Sequence, residues 1–274
     1  MGELEREIAE DRELPPLAVI GRGRVGRSLA RAATDAGLRV SLAGRRDALA
    51  ACEGARIALL CVPDASIAGA CEAISAAVPP LRYVGHTSGA TDLAALSAAS
   101  DRGARALSLH PLQTVPDGDA TLTGAPCAVS GSDAEAVRLA EALATRLGMR
   151  PFAVPEEHRA AYHAAASIAS NYLVAIEETA AELLERAGVE DARELLAPLV
   201  MRTAANWAER GNGALTGPIA RGDEETVRRH TQALADAAPE LLDVYLALAE
   251  RTRELATRER PSEKPRAAEP EVAA

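Results

Sequence analysis

Along the first 150 or so residues, short apolar runs alternate with amphipathic stretches. Residues 17–20 (Leu-Ala-Val-Ile) form the first run. Residues 56–62 (Arg-Ile-Ala-Leu-Leu-Cys-Val) form a longer one, bounded by Gly54 and Pro63. A continuous apolar run of this length is what a parallel strand covered on both faces requires. Further strands are predicted at 39–43, 82–85, 104–109 and 126–130, with an edge strand at 149–154. Helical patterns occupy 25–36, 66–77, 92–100 and 132–147. The last of these opens on Ser132 with Glu135 three residues on, a capping box, and Gly148 ends it. Strands alternating with helices in this way predict an α/β fold built on a doubly wound parallel sheet.

After Pro155 the period changes. Residues 156–187 contain no turn residue before Gly188, which predicts one long helix. From Ala160 to Ile176 it is apolar almost all round, so it is expected to be buried. Residues 191–210 form a second helix, with a kink expected at Pro198. Residues 211–223 read as a long loop, and loops of that length are functional or disordered. Ala214, Leu215, Ile219 and Ala220 in it argue against disorder. Helices at 223–237 and 239–256 complete an all-helical C-terminal domain. The expected organisation is a flexible extension over 1–14, a nucleotide-binding α/β domain over 15–154, a helical domain over 155–256 and a disordered tail over 257–274.

The chemistry begins directly after the first strand, at Gly21-Arg22-Gly23-Arg24-Val25-Gly26. A Gly-x-Gly-x-x-Gly turn between a buried strand and an amphipathic helix holds a dinucleotide pyrophosphate. Gly21 permits the tight turn, Gly23 the approach of backbone to phosphate, and Gly26 close helix–strand packing. The helix start adds free N–H groups and a positive dipole end. Arg22 and Arg24 would contribute to a cationic cradle. The second strand ends at Arg45-Arg46, with no acid before Asp47. An acid there suits the ribose hydroxyls of NAD, and an arginine suits the extra phosphate of NADP, so NADP(H) is the expected cofactor. The alternative is a solvated arginine pair.

Composition narrows the classes. The chain has 274 residues, 48% of them apolar, enough for two modest domains with cores of their own. A net charge of −10 and only 2% aromatic residues argue against nucleic-acid binding. The N-terminus is charged, and the apolar runs are too short for a bilayer, so a cytoplasmic protein without a membrane partner is expected. The four cysteines have no metal-ligand spacing and are expected to be reduced core residues; no metal is expected. The single lysine, Lys264, lies in the C-terminal tail. Any fixed cation of the folded body is therefore arginine or protonated histidine.

Ligands of doubly wound sheets bind beyond the carboxyl ends of the strands. Three such ends carry candidate residues: Val62-Pro63-Asp64, His86-Thr87-Ser88-Gly89 and His110-Pro111-Leu112-Gln113-Thr114. On the long helix, His163, Ser167 and Asn171 recur every four residues and so share a face. Either they hydrogen-bond a neighbouring helix, or this stripe faces the reaction cleft.

With these residues in view the chain resembles the oxidoreductases of the 6-phosphogluconate dehydrogenase, hydroxyisobutyrate dehydrogenase and ketopantoate reductase superfamily. Within it the chain is most similar to proteins whose helical half is domain of unknown function 2520. The resemblance rests on residues 21–26, 62–64, 88–89 and 109–114, on Tyr162-His163-Ala164-Ala165, on Ser170-Asn171-Tyr172 and on residues 215–223 (Leu-Thr-Gly-Pro-Ile-Ala-Arg-Gly-Asp). It implies a Rossmann domain for NAD(P), and a helical domain that completes the active site and mediates homodimerisation. Many relatives carry a Lys and an Asn one turn apart on the first long helix. Here Asn171 is kept, but Ser167 stands four residues earlier and the lysine acid/base is absent. Arg159 is a poor proton donor because its pKa is too high.

The expected activity is reduction of a small carbonyl compound by NADPH, a 2-oxo acid of the ketopantoate type. His163 or His110 would supply the proton. Asn171, Ser88 and Ser167 would hold the substrate, and Arg221 would clamp its carboxylate. The alternatives are an imine substrate resembling pyrroline carboxylate, exchange with a deazaflavin, and a non-catalytic NADP(H) sensor.

Overall fold

The computed structural model describes residues 14–258. The expected N-terminal extension, apart from Leu14, and the expected tail beyond Arg258 lie outside the described residues. Two compact units divide at Asn171 and Tyr172.

The first unit is built on seven strands: β1 (Leu17–Ile20), β2 (Val40–Ala43), β3 (Ile57–Leu60), β4 (Tyr83–His86), β5 (Arg105–Pro111), β6 (Pro126–Gly131) and β7 (Arg150–Ala153). They lie in the order β2-β1-β3-β4-β5-β6-β7. Between them run α1 (Arg24–Asp35), α2 (Ala48–Glu53), α3 (Ile67–Ser75), α4 (Ser97–Ser100) and α5 (Ala134–Arg146). Alternate side chains enter two separate cores, one on each face. Leu17, Val19, Ile57, Leu59 and Leu107 pack with Leu29, Ala33, Leu139 and Leu143 of α1 and α5. Ala18, Ile20, Ala58, Leu60 and Val84 pack with Cys52, Ile67, Cys71 and Ile74 of α2 and α3. Burying each Leu or Ile contributes about 1.5–3 kcal/mol. All four cysteines are buried and free.

The α/β fold class is as expected, with one change. Strands β1 to β5 are parallel, but β6 runs antiparallel to β5, and β7 is parallel to β6. Residues 112–125 contain no crossover helix. Without a crossover the chain returns beside the strand it has just left, which gives the antiparallel direction. The cap of α5 also differs. Asp133, not Ser132, accepts the Ala136 N–H at 2.8 Å, while the Ser132 hydroxyl accepts from Ala106 N in β5. A carboxylate at the cap both accepts the hydrogen bond and meets the positive end of the helix dipole.

The expected long helix is interrupted. A 3₁₀ turn (Glu156–His158) leads into α6 (Arg159–Ser167). A π-helical turn (Ile168–Tyr172) follows, then α7 (Leu173–Arg186). The expected burial from Ala160 to Ile176 is not found in the single chain, where Ile168 and Val174 are each 61% exposed. The apolar belt has more surface than its own chain covers.

The second unit continues with α8 (Ala192–Arg210), which contains Pro198. The expected loop at 211–223 folds into a 3₁₀ turn (Gly211–Ala214) and α9 (Gly217–Arg221). Pro218 sits at the start of α9, Gly222 closes it at φ +72°, and Asp223 caps α10 (Glu224–Ala237) by accepting from Thr226 N. A 3₁₀ turn (Pro239–Leu241) and α11 (Leu242–Thr257) complete the unit. Among the described residues no helix is long and apolar enough to cross a membrane.

Candidate active site

Because β1, β3, β4 and β5 are parallel neighbours, their carboxyl ends form one rim. The chain passes from β1 outward to β2 and then back across to β3. The switch point of the sheet therefore lies at the ends of β1 and β3. Gly21 follows β1 at φ +129°, and a Cβ there would strike the Cys61 carbonyl. A Cβ on Gly26 would strike the Gly21 carbonyl oxygen. These two glycines are dictated by backbone packed on backbone. A Cβ on Gly23, by contrast, would meet nothing within 4 Å. Open space over an exposed glycine, beside the start of α1, is the cradle a pyrophosphate needs.

A cavity of about 380 Å³ adjoins this turn, lined by Gly21, Arg45, Val62, Pro63, Ser66 and Ala70, among others. The turn after β2 is held by Asp47. One of its carboxylate oxygens accepts from Gly44 N at 2.9 Å and the other from Arg22 at 2.5 Å. Arg24 reaches the Pro116 carbonyl at 3.5 Å. Neither Arg45 nor Arg46 has an acidic partner among the described residues, so both guanidinium groups are available to an anion.

The far end of the rim carries a second cavity, of about 530 Å³. His110 and Gln113 at the end of β5, with Tyr162, His163, Ser167 and Asn171 from α6 and the π turn, are among its lining residues. The two histidines converge: their rings lie 6.0 Å apart, edge to face. Gly89 makes this approach possible. A Cβ there would stand 2.7 Å from His163 Cδ2 and 2.9 Å from His110 Nε2. The His110 Nδ1 lies 2.7 Å from the Tyr162 hydroxyl. Burial, reinforced by His163 and by Arg159, pushes the His110 pKa down to about 4, so the ring is neutral at neutral pH.

Behind this cavity lies Arg159, 2% exposed. It donates to the Ser108 hydroxyl at 2.8 Å, the Ser130 hydroxyl at 3.2 Å and the Ser88 carbonyl at 2.6 Å, and it pairs with Glu156 at 3.2 Å. Glu156 in turn accepts from Ser130 Oγ and from Leu93 N. This guanidinium therefore ties β5, β6 and the loop after β4 together. His86 is fully buried and lines neither cavity. The Ser88 hydroxyl is engaged within its own loop, accepting from Ala90 N and Thr91 N. Arg221 is an exposed residue of the second unit.

The structure thus gathers His110, His163, Ser167 and Asn171 around one cavity. The sequence reading did not single out Tyr162 for its contact with His110, nor Gly89 for the room it leaves. The adjacency of Tyr162 and His163 was visible, but which of them faced His110 was not. Among the described residues no three His, Cys, Asp or Glu side chains group as metal ligands.

Residues 43–111 match the Rossmann-like domain, and residues 125–252 match the domain of unknown function DUF2520. No functionally curated protein matches the chain. Solved structures do. A Bacteroides fragilis protein provisionally named an NADP oxidoreductase superposes with a TM-score of 0.72 at 22% identity, covering 88% of this chain and 98% of that one. Protein TM1727 of Thermotoga maritima gives 0.69 at 20% identity, over 88% and 98%. The pyrroline carboxylate reductase of Plasmodium falciparum, solved with NADP bound, gives 0.58 at 10% identity, over 89% and 99%. At these identities the likeness is one of fold.

Proposed function

We propose that the chain is an NADPH-dependent reductase of a small carbonyl compound, with a 2-oxo acid of the ketopantoate type as substrate. The observation that carries this reading is the convergence of His110 and His163 on a cavity of the same rim that bears the glycine turn. Three strand spacings separate β1 from β5, about 14 Å, a span suited to an extended dinucleotide. The open face of Gly23 would receive the pyrophosphate, and the unpaired Arg45 and Arg46 would receive the 2′-phosphate. Bound there, the cofactor would supply hydride. The chain's own residues do the rest: Ser167 and Asn171 orient the carbonyl, and the histidine pair holds the proton that completes the alcohol. The names of the Bacteroides and Plasmodium neighbours support the cofactor. The relation to the 6-phosphogluconate dehydrogenase and ketopantoate reductase superfamily is part of the same reading.

The Plasmodium neighbour's name also supports an imine as the second reading, since C=N and C=O accept hydride in the same geometry. One experiment addresses both. NADPH and NADH binding are titrated for wild type and Arg45→Glu, followed by turnover of ketopantoate and of pyrroline carboxylate. The expected result is NADPH binding that weakens at least tenfold in Arg45→Glu, about 1.4 kcal/mol, with NADH affected little. Absence of NADPH binding in the wild type would sink the proposal. Turnover of pyrroline carboxylate alone selects the imine, and binding with no turnover of any carbonyl or imine selects a sensor. We further propose that a second copy of the chain covers the apolar belt of α7 and α8, making the protein a homodimer through its helical unit.

A further inference from the structure

We propose that Tyr162 is a positioning residue that holds His110 as the tautomer protonated on Nε2, so that the imidazole presents an N–H donor to the cavity. This rests on the reductase reading for its purpose, but not for its geometry. The 2.7 Å contact between Tyr162 Oη and His110 Nδ1 allows either atom to donate. Acidity decides between them. A phenol is a far stronger acid than the N–H of a neutral imidazole, and an imidazole nitrogen is a better acceptor than a phenol oxygen. The stable arrangement is O–H donating to Nδ1, which leaves the ring proton on Nε2. Both groups are in the required state at neutral pH. Burial holds the Tyr162 hydroxyl protonated, its pKa pushed up to about 12, and holds His110 uncharged.

The surroundings fix the ring as well as the proton. Tyr162 meets His110 edge to face, with ring centres 5.6 Å apart at 88°, and is itself packed against Phe152 at 6.0 Å. The Cε1–Nε2 edge of His110 lies against Gly89. Among the described residues Nε2 has no hydrogen-bond partner, although His110 lines the cavity. A half-buried N–H without a protein partner is satisfied by water or by an acceptor on a ligand in the cavity. A neutral imidazole N–H aimed at a carbonyl oxygen stabilises the negative charge that builds there, without first having to capture a proton from solvent. Among the described residues no hydroxyl hydrogen-bonds the second imidazole of the cavity, His163, so this lock acts on His110.

The test reads the tautomer directly. The protein has five histidines, few enough for nitrogen-15 labelling of the imidazoles. His110→Gln assigns the His110 signals. In wild-type protein near pH 7, His110 is expected to show a protonated Nε2 and an unprotonated, hydrogen-bonded Nδ1. Tyr162→Phe keeps the ring that packs on Phe152 and removes only the hydroxyl. It is expected to give His110 signals averaged between tautomers, and to lower kcat at least tenfold with the NADPH affinity unchanged. A wild-type His110 protonated on Nδ1 overturns the proposal, whatever the variant does. So does a Tyr162→Phe protein in which tautomer and kcat both stay as in wild type. If no carbonyl or imine is turned over, the reductase reading fails on its own, and the nitrogen signals still decide the tautomer.

Discussion

Arg159 shows how one residue can be decisive for a site without touching the reaction. Its guanidinium reaches groups from β5, β6 and the loop after β4, and its charge is balanced by Glu156 three residues earlier. Taking away the cation leaves the Ser88 carbonyl without its donor and the Glu156 carboxylate without its counter-charge. Removing one partner of a buried pair costs about 3–5 kcal/mol. Because Glu156 is about a third exposed, Arg159→Ala is expected to lower the unfolding free energy, read from urea melts, by up to about that amount. Arg159→Lys should recover only part of it, since one ammonium cannot span the same fork of acceptors. A loss of under about 1 kcal/mol in the alanine variant would contradict this role. The sequence offered Arg159 only as a poor proton donor. Its burial depends on Ser88 in the loop after β4, Ser108 in β5 and Ser130 in β6, and no local spacing encodes such a meeting. Gly21 and Gly26 were legible for the opposite reason, because the steric demand that selects glycine arises within a single strand–turn–helix unit.

At the scale of elements, periodicity carried the parallel strands, whose two-faced burial leaves continuous apolar runs in the sequence. The direction of β6 was not legible, since a run of apolar residues has no sense of direction. The stripe of His163, Ser167 and Asn171 survived for a more interesting reason. The π turn at Ile168–Tyr172 interrupts the helix, yet all three residues still line the cavity. π turns occur mostly as single turns within α-helices and are frequent at functional sites, where widening one turn re-aims side chains. The apolar belt misled because pattern reports that a helix will be buried, not by what. In α8, of nineteen residues, only Ala192 is buried, while Met201 and Trp207 are 72% and 66% exposed. Apolar surface on this scale fits the proposed homodimer. Wild-type protein at micromolar concentration is expected to sediment as two chains. The pair Leu199→Glu and Met201→Glu should shift it to one, because an unpaired carboxylate in a dry interface costs several kcal/mol. A wild type that sediments as a single chain at every concentration would refute the homodimer.

For the molecule as a whole, two buried or half-buried histidines, His86 and His110, are expected to weaken it in acid. His86 is fully buried with neither ring nitrogen in a well-formed hydrogen bond, and burial, with Arg159 adding to it, pushes its pKa down to about 4. His110 is lowered to about 4 in the same direction. In the unfolded chain both titrate near 6.5. The folded state therefore binds fewer protons than the unfolded state between those values, and stability falls as pH falls through that window. Above about 6.5 the penalty vanishes; by about 4 each histidine has removed on the order of 3 kcal/mol. The capping carboxylate Asp133, whose pKa is lowered, adds its loss only below the ordinary carboxylate range, so the two effects separate on the pH axis. Urea melts between pH 7 and 4.5 are expected to show a steady decline in wild type. His86→Phe keeps a buried ring but removes one of the two protons, so its decline should be shallower by up to about 1.4 kcal/mol per pH unit. Equal slopes in the two proteins would mean that His86 is not held neutral by the fold. The shallower slope would show that burial and the nearby Arg159 charge hold His86 neutral, as they hold His110.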